Sequence, residues 1–237
     1  MRVSVIIAVL LPVSVLVLTG CAPSEPDDSG VPTPAPGDAA DVVLPDPVHV
    51  GDVSLEEALG ERRSIRSFRN EPLSLDDLSQ LLWAAQGVSD ELRGLRTAPS
   101  AGATYPLETF VAVGDVTGLD PAVYRYHPDT HRLSMSTAGD VRDELANAAL
   151  GQRFVAEAPA TIILAAIYER TAQRYGDRAE RYVHMEAGHA AQNLALQTTA
   201  LGLGTVPVGA FRDERVAGVL GLDAEEVPLY LLPIGHP

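Results

Sequence analysis

Two stretches of the chain combine a helix-start signal with regularly spaced apolar positions. Ser54-Leu55-Glu56-Glu57 and Ser74-Leu75-Asp76-Asp77 each place an acid three residues after a serine, which is typical of a helix N-terminus. The second is followed by leucines and alanines at helical spacing, and Gly87 stands where a helix commonly ends. A longer helix is predicted from apolar or small residues at positions Val183, Ala187, Ala190, Leu194, Thr198 and Leu201.

Apolar and β-branched runs predict the strands. Residues 107–113, 161–167 and 227–234 have the length and composition of buried strands. Residues 123–126 and 131–135 flank a turn at His127-Pro128-Asp129-Thr130, which predicts a hairpin. Helices and strands follow in mixed order, with neither strict βαβ alternation nor an internal repeat. The pattern therefore predicts an α+β fold.

The first 50 residues differ in character from the rest. An apolar run from Val3 to Leu18 follows Arg2, and it has signal-peptide length, short of the ~20 residues of a membrane span. Leu18-Thr19-Gly20-Cys21 resembles a bacterial lipobox, so we expect residues 1–20 to be a lipoprotein signal peptide and Cys21 to be lipidated. An ordinary membrane helix with an incidental cysteine is the alternative.

Residues 21–50 are rich in Pro and Asp and predict a disordered linker. The folded domain is then expected over residues 51–237, held on the extracytoplasmic side of the cell membrane by its lipid. Cys21 is the chain's one cysteine, which excludes an internal disulfide.

The charge pattern excludes two function classes. The formal net charge is −15, and all 17 basic residues are arginines. An acidic chain of this kind does not bind nucleic acid through a general basic surface. The absence of lysine from the sequence excludes chemistry through a lysine Schiff base.

Four separated stretches carry the candidate chemistry. The first, residues 62–66, places three arginines around Ser64, with Arg62 and Arg66 at helical i, i+4 spacing, a pattern suited to a phosphate. A solvated helix face is the alternative. The second, residues 96–102, ends in small residues that let backbone approach a flat ligand. The third and fourth are residues 188–193 and 202–209.

In this order the four stretches resemble the FMN-dependent nitroreductase family, most closely its branch related to azoline (thiazoline/oxazoline) dehydrogenases. The resemblance covers roughly Ser54 to Pro237. It implies an α+β, nitroreductase-like sandwich with a mostly antiparallel central sheet and flanking helices. It also implies bound FMN, hydride or electron transfer through flavin N5, and a homodimer with flavin at the subunit interface.

The resemblance assigns roles to particular residues. Arg62, Arg63, Ser64 and Arg66 would contact the FMN phosphate and ribityl chain. The loop Pro99, Ser100, Ala101 and Gly102 would lie against the flavin, often from the neighbouring subunit. Further cofactor contacts are expected from Gln192, Val208, Gly209 and Ala210, the last three through main-chain groups.

A candidate catalytic residue stands just before the long helix. Azoline dehydrogenases carry a Lys-Tyr pair there, and this chain has Arg174-Tyr175. Tyr175 is the candidate acid, while arginine cannot serve as a base because its pKa is too high.

Other chemistries have little support in the sequence. His184 and His189 are five residues apart, about 140° round a helix, too far for an i, i+4 metal pair. A Gly-x-Ser-x-Gly elbow is absent from the sequence. We therefore predict an FMN-dependent oxidoreductase that acts on a small organic substrate, with NAD(P)H or a membrane carrier as electron donor. The alternative is a non-catalytic flavin- or ligand-binding lipoprotein on the same fold.

Overall fold

A seven-stranded sheet forms the centre of the computed structural model, which describes residues 41–237. The strands are β1 (Val42–Val43), β2 (Val88–Asp90), β3 (Leu95–Arg96), β4 (Leu107–Val113), β5 (Ala122–His127), β6 (Arg132–Ala138), β7 (Ala160–Ala166), β8 (Gly204–Thr205) and β9 (Val227–Gly235). The sheet order is β1-β6-β5-β4-β7-β9-β8, and every neighbouring pair is antiparallel. Strands β2 and β3 form a separate two-stranded hairpin.

Seven α-helices of residues 41–237 surround the sheet. They are α1 (Leu55–Glu61), α2 (Leu75–Gln86), α3 (Arg142–Ala148), α4 (Arg153–Glu157), α5 (Tyr168–Tyr175), α6 (Ala179–Ala200) and α7 (Asp213–Leu220). Short 3₁₀ turns lie at Ala101–Ala103 and Gly176–Arg178. The predicted α+β class, with a mostly antiparallel sheet and flanking helices, is confirmed.

The alternation of side chains along each strand separates two hydrophobic cores. On one face, Val111 and Ile162 pack with leucines of α2 and with the apolar stripe of α6. On the other face, Phe110 and Ile163 pack with residues of α3, α4 and α7. Since successive side chains of a strand point to opposite faces, one strand serves both cores. The result is a sheet between two helical layers.

Both predicted helix starts are confirmed. The Ser54 side chain accepts from the Glu57 N–H at 3.1 Å, and Ser74 accepts from the Asp77 N–H at 3.0 Å. Gly87 follows α2 as predicted, but its backbone is extended, with φ −64° and ψ 157°. The close approach of Trp83 instead explains glycine there, because a Cβ at residue 87 would overlap the Trp83 side chain.

The linker prediction is wrong for residues 42–49, which form a strap across the domain. Val42 and Val43 pair with β6, and Leu44 is buried. Farther along, Val48 exchanges two hydrogen bonds with the Gln80 side chain, at 2.7 and 3.0 Å. Composition predicted disorder because residues 21–50 as a whole are rich in Pro and Asp, yet residues 42–49 include Val42, Val43, Leu44 and Val48. Their backbone finds partners on an edge strand and on α2.

Cys21 and the predicted signal peptide lie outside the described residues. Within residues 41–237, none of the helices is long and apolar enough to cross a membrane.

Candidate functional site

The arginine-rich stretch is extended rather than helical. Helix α1 ends at Glu61, and Arg62 has φ −52° and ψ 121°, outside the helical region. Ser64 forms a parallel bridge with Thr205, where the Ile65 N–H donates to the Thr205 carbonyl at 3.0 Å. The predicted i, i+4 helical face of Arg62 and Arg66 is therefore wrong. Pairing with β8 holds the backbone of residues 62–66 in an extended conformation, and it joins the first stretch to the fourth.

The three arginines of this stretch differ in their partners. Arg63 donates to the carbonyls of Gly60 and Arg62, at 2.9 and 2.8 Å, so it caps the end of α1. Arg62 and Arg66 form no ion pair within the described chain, despite its acid excess. Ser64 and Arg66 are exposed. Arg62 and Arg66 are thus the guanidinium groups of this stretch that remain available to an anion.

The predicted flavin-contacting backbone after β8 is partly engaged. Val208 donates to and accepts from Leu231, at 2.8 and 2.9 Å, so its main-chain groups are taken up by pairing with β9. The Ala210 carbonyl accepts from the Gln152 side chain at 2.9 Å. Within the described residues, the N–H groups of Gly209 and Ala210 have no partner, and both residues are exposed. These two amides can bind a ligand; the Val208 amide cannot.

The small-residue loop has an unusual backbone. Gly102, Ala103 and Tyr105 have φ values of 60°, 53° and 43°, in the left-handed region that non-glycine residues rarely occupy. The Tyr105 N–H donates to the Ser100 hydroxyl oxygen at 3.0 Å, which closes the loop on itself. Backbone strain of this kind persists where surrounding structure holds it, commonly at functional sites.

The structure brings the candidate catalytic tyrosine to this loop. A Cβ at residue 102 would lie 2.6 Å from the Tyr175 hydroxyl oxygen, so only glycine leaves room for it. Arg174 donates to the Gly102 carbonyl at 3.2 Å. The arginine in the Lys-Tyr position therefore binds the loop backbone, and the tyrosine hydroxyl lies at the loop surface.

A buried carboxyl under the loop was missed by the sequence reasoning. Glu186 is 2% exposed, and its Oε1 has no hydrogen-bond partner within the described residues. Burial raises the pKa of Glu186 to about 7, against the opposing effects of the neighbouring Ser100 hydroxyl and the Arg96 charge. The available signal was an acid on the apolar stripe of α6, between Val183 and Ala190.

Other polar groups gather near this carboxyl. Arg96 donates to the Gln86 side-chain oxygen at 3.1 Å and stacks over the Tyr105 ring at 4.5 Å. Asn193 of α6 donates to the Thr97 carbonyl at 3.2 Å, which joins the second stretch to the third. Gln192, the neighbouring predicted contact, is exposed.

The four stretches thus meet as two pairs at different points along α6. The loop of residues 99–102 lies beside Glu186, whereas Ser64 pairs with Thr205 beyond the helix end at Ala200. Ala200 stands fourteen positions after Glu186, about 21 Å at the rise of an α-helix.

The histidines of α6 do not gather into a metal site. His184 bonds to the Tyr168 hydroxyl at 2.7 Å, and His189 is exposed. Over residues 41–237, no group of three or more His, Cys, Asp or Glu side chains is placed to hold a metal ion.

The chain belongs to the nitroreductase family, whose model matches residues 59–236. A candidate nitroreductase of Methanocaldococcus jannaschii, MJ1384, is 51% identical over 200 residues, which are 84% of this chain and 98% of that protein. The family predicted from the four stretches is confirmed.

Two further similarities are to a solved structure and to an enzyme. A crystal structure of a candidate nitroreductase from Ralstonia eutropha superimposes with a TM-score of 0.74 at 33% identity, over 91% of this chain and 98% of that one. The FMN reductase [NAD(P)H] of Bacillus subtilis is 24% identical over 76% of this chain and 65% of its own length.

Proposed function

We propose that this protein is an FMN-dependent oxidoreductase that acts on a small organic molecule. The observation that carries the proposal is the pairing of Ser64 with Thr205. Among residues 41–237, it places two arginines without acid partners on a segment joined to the strand that leads into the amides of Gly209 and Ala210, which have no partner in that range. Family membership and the similarity to an FMN reductase support the cofactor.

The residues present fit FMN. Arg62 and Arg66 offer donors to a doubly charged phosphate, and the amides of Gly209 and Ala210 offer donors to the polar edge of the ring. Bound FMN would supply the hydride chemistry, and the protein would hold and orient it. Tyr175, at the loop surface beside Gly102, is the proposed proton donor to substrate.

The two pairs of stretches suggest a site completed by a second copy. Because the loop of residues 99–102 lies beside Glu186, about 21 Å of helix before α6 ends at Ala200, we propose that one copy supplies the arginine segment and its partner supplies this loop. The surface available for this contact includes Met185, which is 53% exposed, and Gly188, where an added Cβ would meet no neighbouring atom. Exposed Leu55 and Leu59 of α1 add apolar area, so a homodimer is the proposed active form.

Flavin binding tests the proposal directly. The purified full-length protein should show a flavin absorption spectrum, or acquire one when FMN is added. Arg62→Ala and Arg66→Ala should each weaken FMN binding by about 1.5–3 kcal/mol, the range for a hydrogen bond to a charged group. Arg153→Ala is the matched control, because that arginine is exposed and pairs with Asp143. A folded double variant that retains FMN would place the phosphate elsewhere.

The alternative is a ligand-binding protein without turnover. Arg174, held on the Gly102 carbonyl where the related dehydrogenases carry a base, favours it. Reduction of the flavin by NAD(P)H or dithionite, followed by reoxidation with a quinone or a nitroaromatic, separates the two. Reoxidation by these acceptors faster than by oxygen alone supports an oxidoreductase, and a flavin that reoxidises no faster with any of them supports the alternative.

We further propose that lipid on Cys21 holds the protein at the extracytoplasmic face of a bacterial membrane. The support is the sequence Leu18-Thr19-Gly20-Cys21. Labelling with a fatty-acid probe should mark the wild type and not Cys21→Ser, and equal labelling of the two would refute the anchor. An extracytoplasmic enzyme meets little NAD(P)H, so a membrane carrier is the favoured electron donor.

A further inference from the structure

Glu186 is a buried acid that the proposed flavin chemistry does not use. It lies beneath the strained loop, with one carboxyl oxygen that has no hydrogen-bond partner in the described chain. A buried polar atom without a partner is costly, so its retention points to a role. The side chain next to it is Ser100, whose oxygen already accepts from the Tyr105 N–H at 3.0 Å.

The protonation of Glu186 decides which way the Ser100 hydroxyl can donate. A hydroxyl has one hydrogen and two acceptor sites. When Glu186 carries a proton, it can donate to the second acceptor site of Ser100, which leaves the serine hydrogen free to point outward. When Glu186 is ionised, it can only accept, and the serine hydrogen turns inward to it.

We propose that Glu186 is a positioning residue that directs the Ser100 hydroxyl toward a ligand bound against the Pro99–Gly102 loop. The inference rests on the proposed function in taking that ligand to be FMN. Glu186 acts through Ser100 and does not itself touch the cofactor. Ligand binding should therefore favour the protonated carboxyl. The affinity for the ligand should fall as the pH rises and Glu186 ionises.

The surroundings of Glu186 are consistent with a proton held near neutral pH. The charged group that faces it is Arg96 of β3, and burial outweighs the effect of this charge, so that the pKa is about 7. Tyr126 of β5, near the same arginine, stays neutral because burial raises the pKa of its phenol well above its usual range. On α6 itself, Tyr182 is half-buried and His189 is exposed.

The test measures FMN affinity of the full-length protein by fluorescence quenching from pH 6 to 8. Glu186→Gln is the key variant, because an amide can donate to Ser100 at every pH. The titration of the FMN phosphate affects the Kd of both proteins equally, so it drops out of the ratio of the wild-type Kd to the Glu186→Gln Kd. This ratio should rise about tenfold from pH 6 to pH 8, as expected when binding needs a proton on a group of pKa about 7. Glu180→Gln, an exposed site on the same helix, should follow the wild type.

Ser100→Ala identifies the hydroxyl as the group through which Glu186 acts. It should bind FMN more weakly at pH 6 and show the same pH dependence as Glu186→Gln. The proposal would be overturned if the Kd of Ser100→Ala for FMN varied with pH as that of the wild type does. It would also be overturned if the ratio of the wild-type Kd to the Glu186→Gln Kd did not change with pH.

Thermal unfolding without added FMN gives a second readout. A raised pKa in the folded state means that wild-type stability falls relative to Glu186→Gln as pH rises from about 4.5 to about 7. A constant difference over this range would overturn the proposal whatever the flavin does. A protein that binds no FMN at any pH would refute the proposed function, while the unfolding comparison would still report on Glu186.

Discussion

At the scale of single residues, Arg125 joins three elements through charge. Its guanidinium donates to Glu108 of β4 at 2.9 Å and to Glu226, just before β9, at 2.6 Å, and it lies over the Phe110 ring. The Glu226 side chain is 2% exposed. The arginine thus compensates a carboxylate that water cannot reach.

Removing Arg125 should therefore be strongly destabilising. Arg125→Leu leaves Glu226 buried without a charged partner, although it still accepts from the Asp223 N–H at 2.9 Å. We expect a loss of about 3–5 kcal/mol in the free energy of unfolding. Arg153→Leu is the control, because its pair with Asp143 is exposed and should contribute less than about 1 kcal/mol. Chemical denaturation of both variants measures the difference. Equal small losses would show that Glu226 is hydrated.

Gly102 is constrained by its backbone and by its neighbour. Its φ of 60° disfavours any other residue, and a Cβ would lie 2.6 Å from the Tyr175 hydroxyl oxygen. Gly102→Ala should therefore cost at least about 1–2 kcal/mol of stability and displace the tyrosine. Gly218→Ala is the contrasting control, since this helical glycine has open space around it and alanine should stabilise by up to about 1 kcal/mol. Similar unfolding midpoints for the two variants would contradict the expectation.

At the scale of elements, one histidine adds to the β6 pairing and the Gln80 bonds that hold the strap of residues 42–49. The Nδ1 atom of His131 lies 2.9 Å from the Tyr126 hydroxyl oxygen. Its Nε2 atom lies 2.7 Å from the Ser79 hydroxyl oxygen and 3.0 Å from the Pro45 carbonyl oxygen. Burial lowers the pKa of His131, against smaller effects of the Pro45 carbonyl and Asp46. The strap is thus held by a neutral imidazole.

Acid should loosen the strap. A lowered folded pKa means that the contribution of His131 is present above the unfolded pKa of about 6.5 and is lost as pH falls through the folded value. Amide exchange of residues 42–49, corrected for the intrinsic rate, should be faster at pH 5.5 than at pH 7.5. His131→Gln should remove this difference, and Ser79→Ala should raise exchange at both pH values because it loses the 2.6 Å bond to the Pro45 carbonyl. Unchanged wild-type protection across this pH range would refute the mechanism.

At the scale of the whole molecule, the proposed dimer ties flavin binding to association. An obligate interface of this kind would bury more than about 2,000 Å². Gly188 lies on the proposed contact face of α6, and a Cβ there would meet no neighbouring atom. Gly188→Leu should therefore leave the fold intact and block a close approach of two copies. We expect this variant to be monomeric by light scattering and to lose FMN. Gly218→Leu, at an exposed glycine of α7, is the control and should remain dimeric. A flavin-loaded wild-type monomer would contradict the proposal.

The sequence by itself determined the elements whose signals are local. Serine caps place the starts of α1 and α2, apolar runs place β4, β7 and β9, and spacing places α6, because each depends on residues within a few turns or one strand. The four stretches in order also identified the family, since their residue types are read directly from the chain.

Tertiary structure alone decided what depends on distant partners. The arginine stretch is extended because Thr205 pairs with it, 141 positions beyond Ser64. Residues 42–49 are ordered because β6 and α2 bind them, and Glu186 is buried because α6 turns that face toward the loop around Ser100. Each outcome balances a local preference against hydrogen bonds or burial supplied by residues far away in sequence, which composition and spacing do not encode.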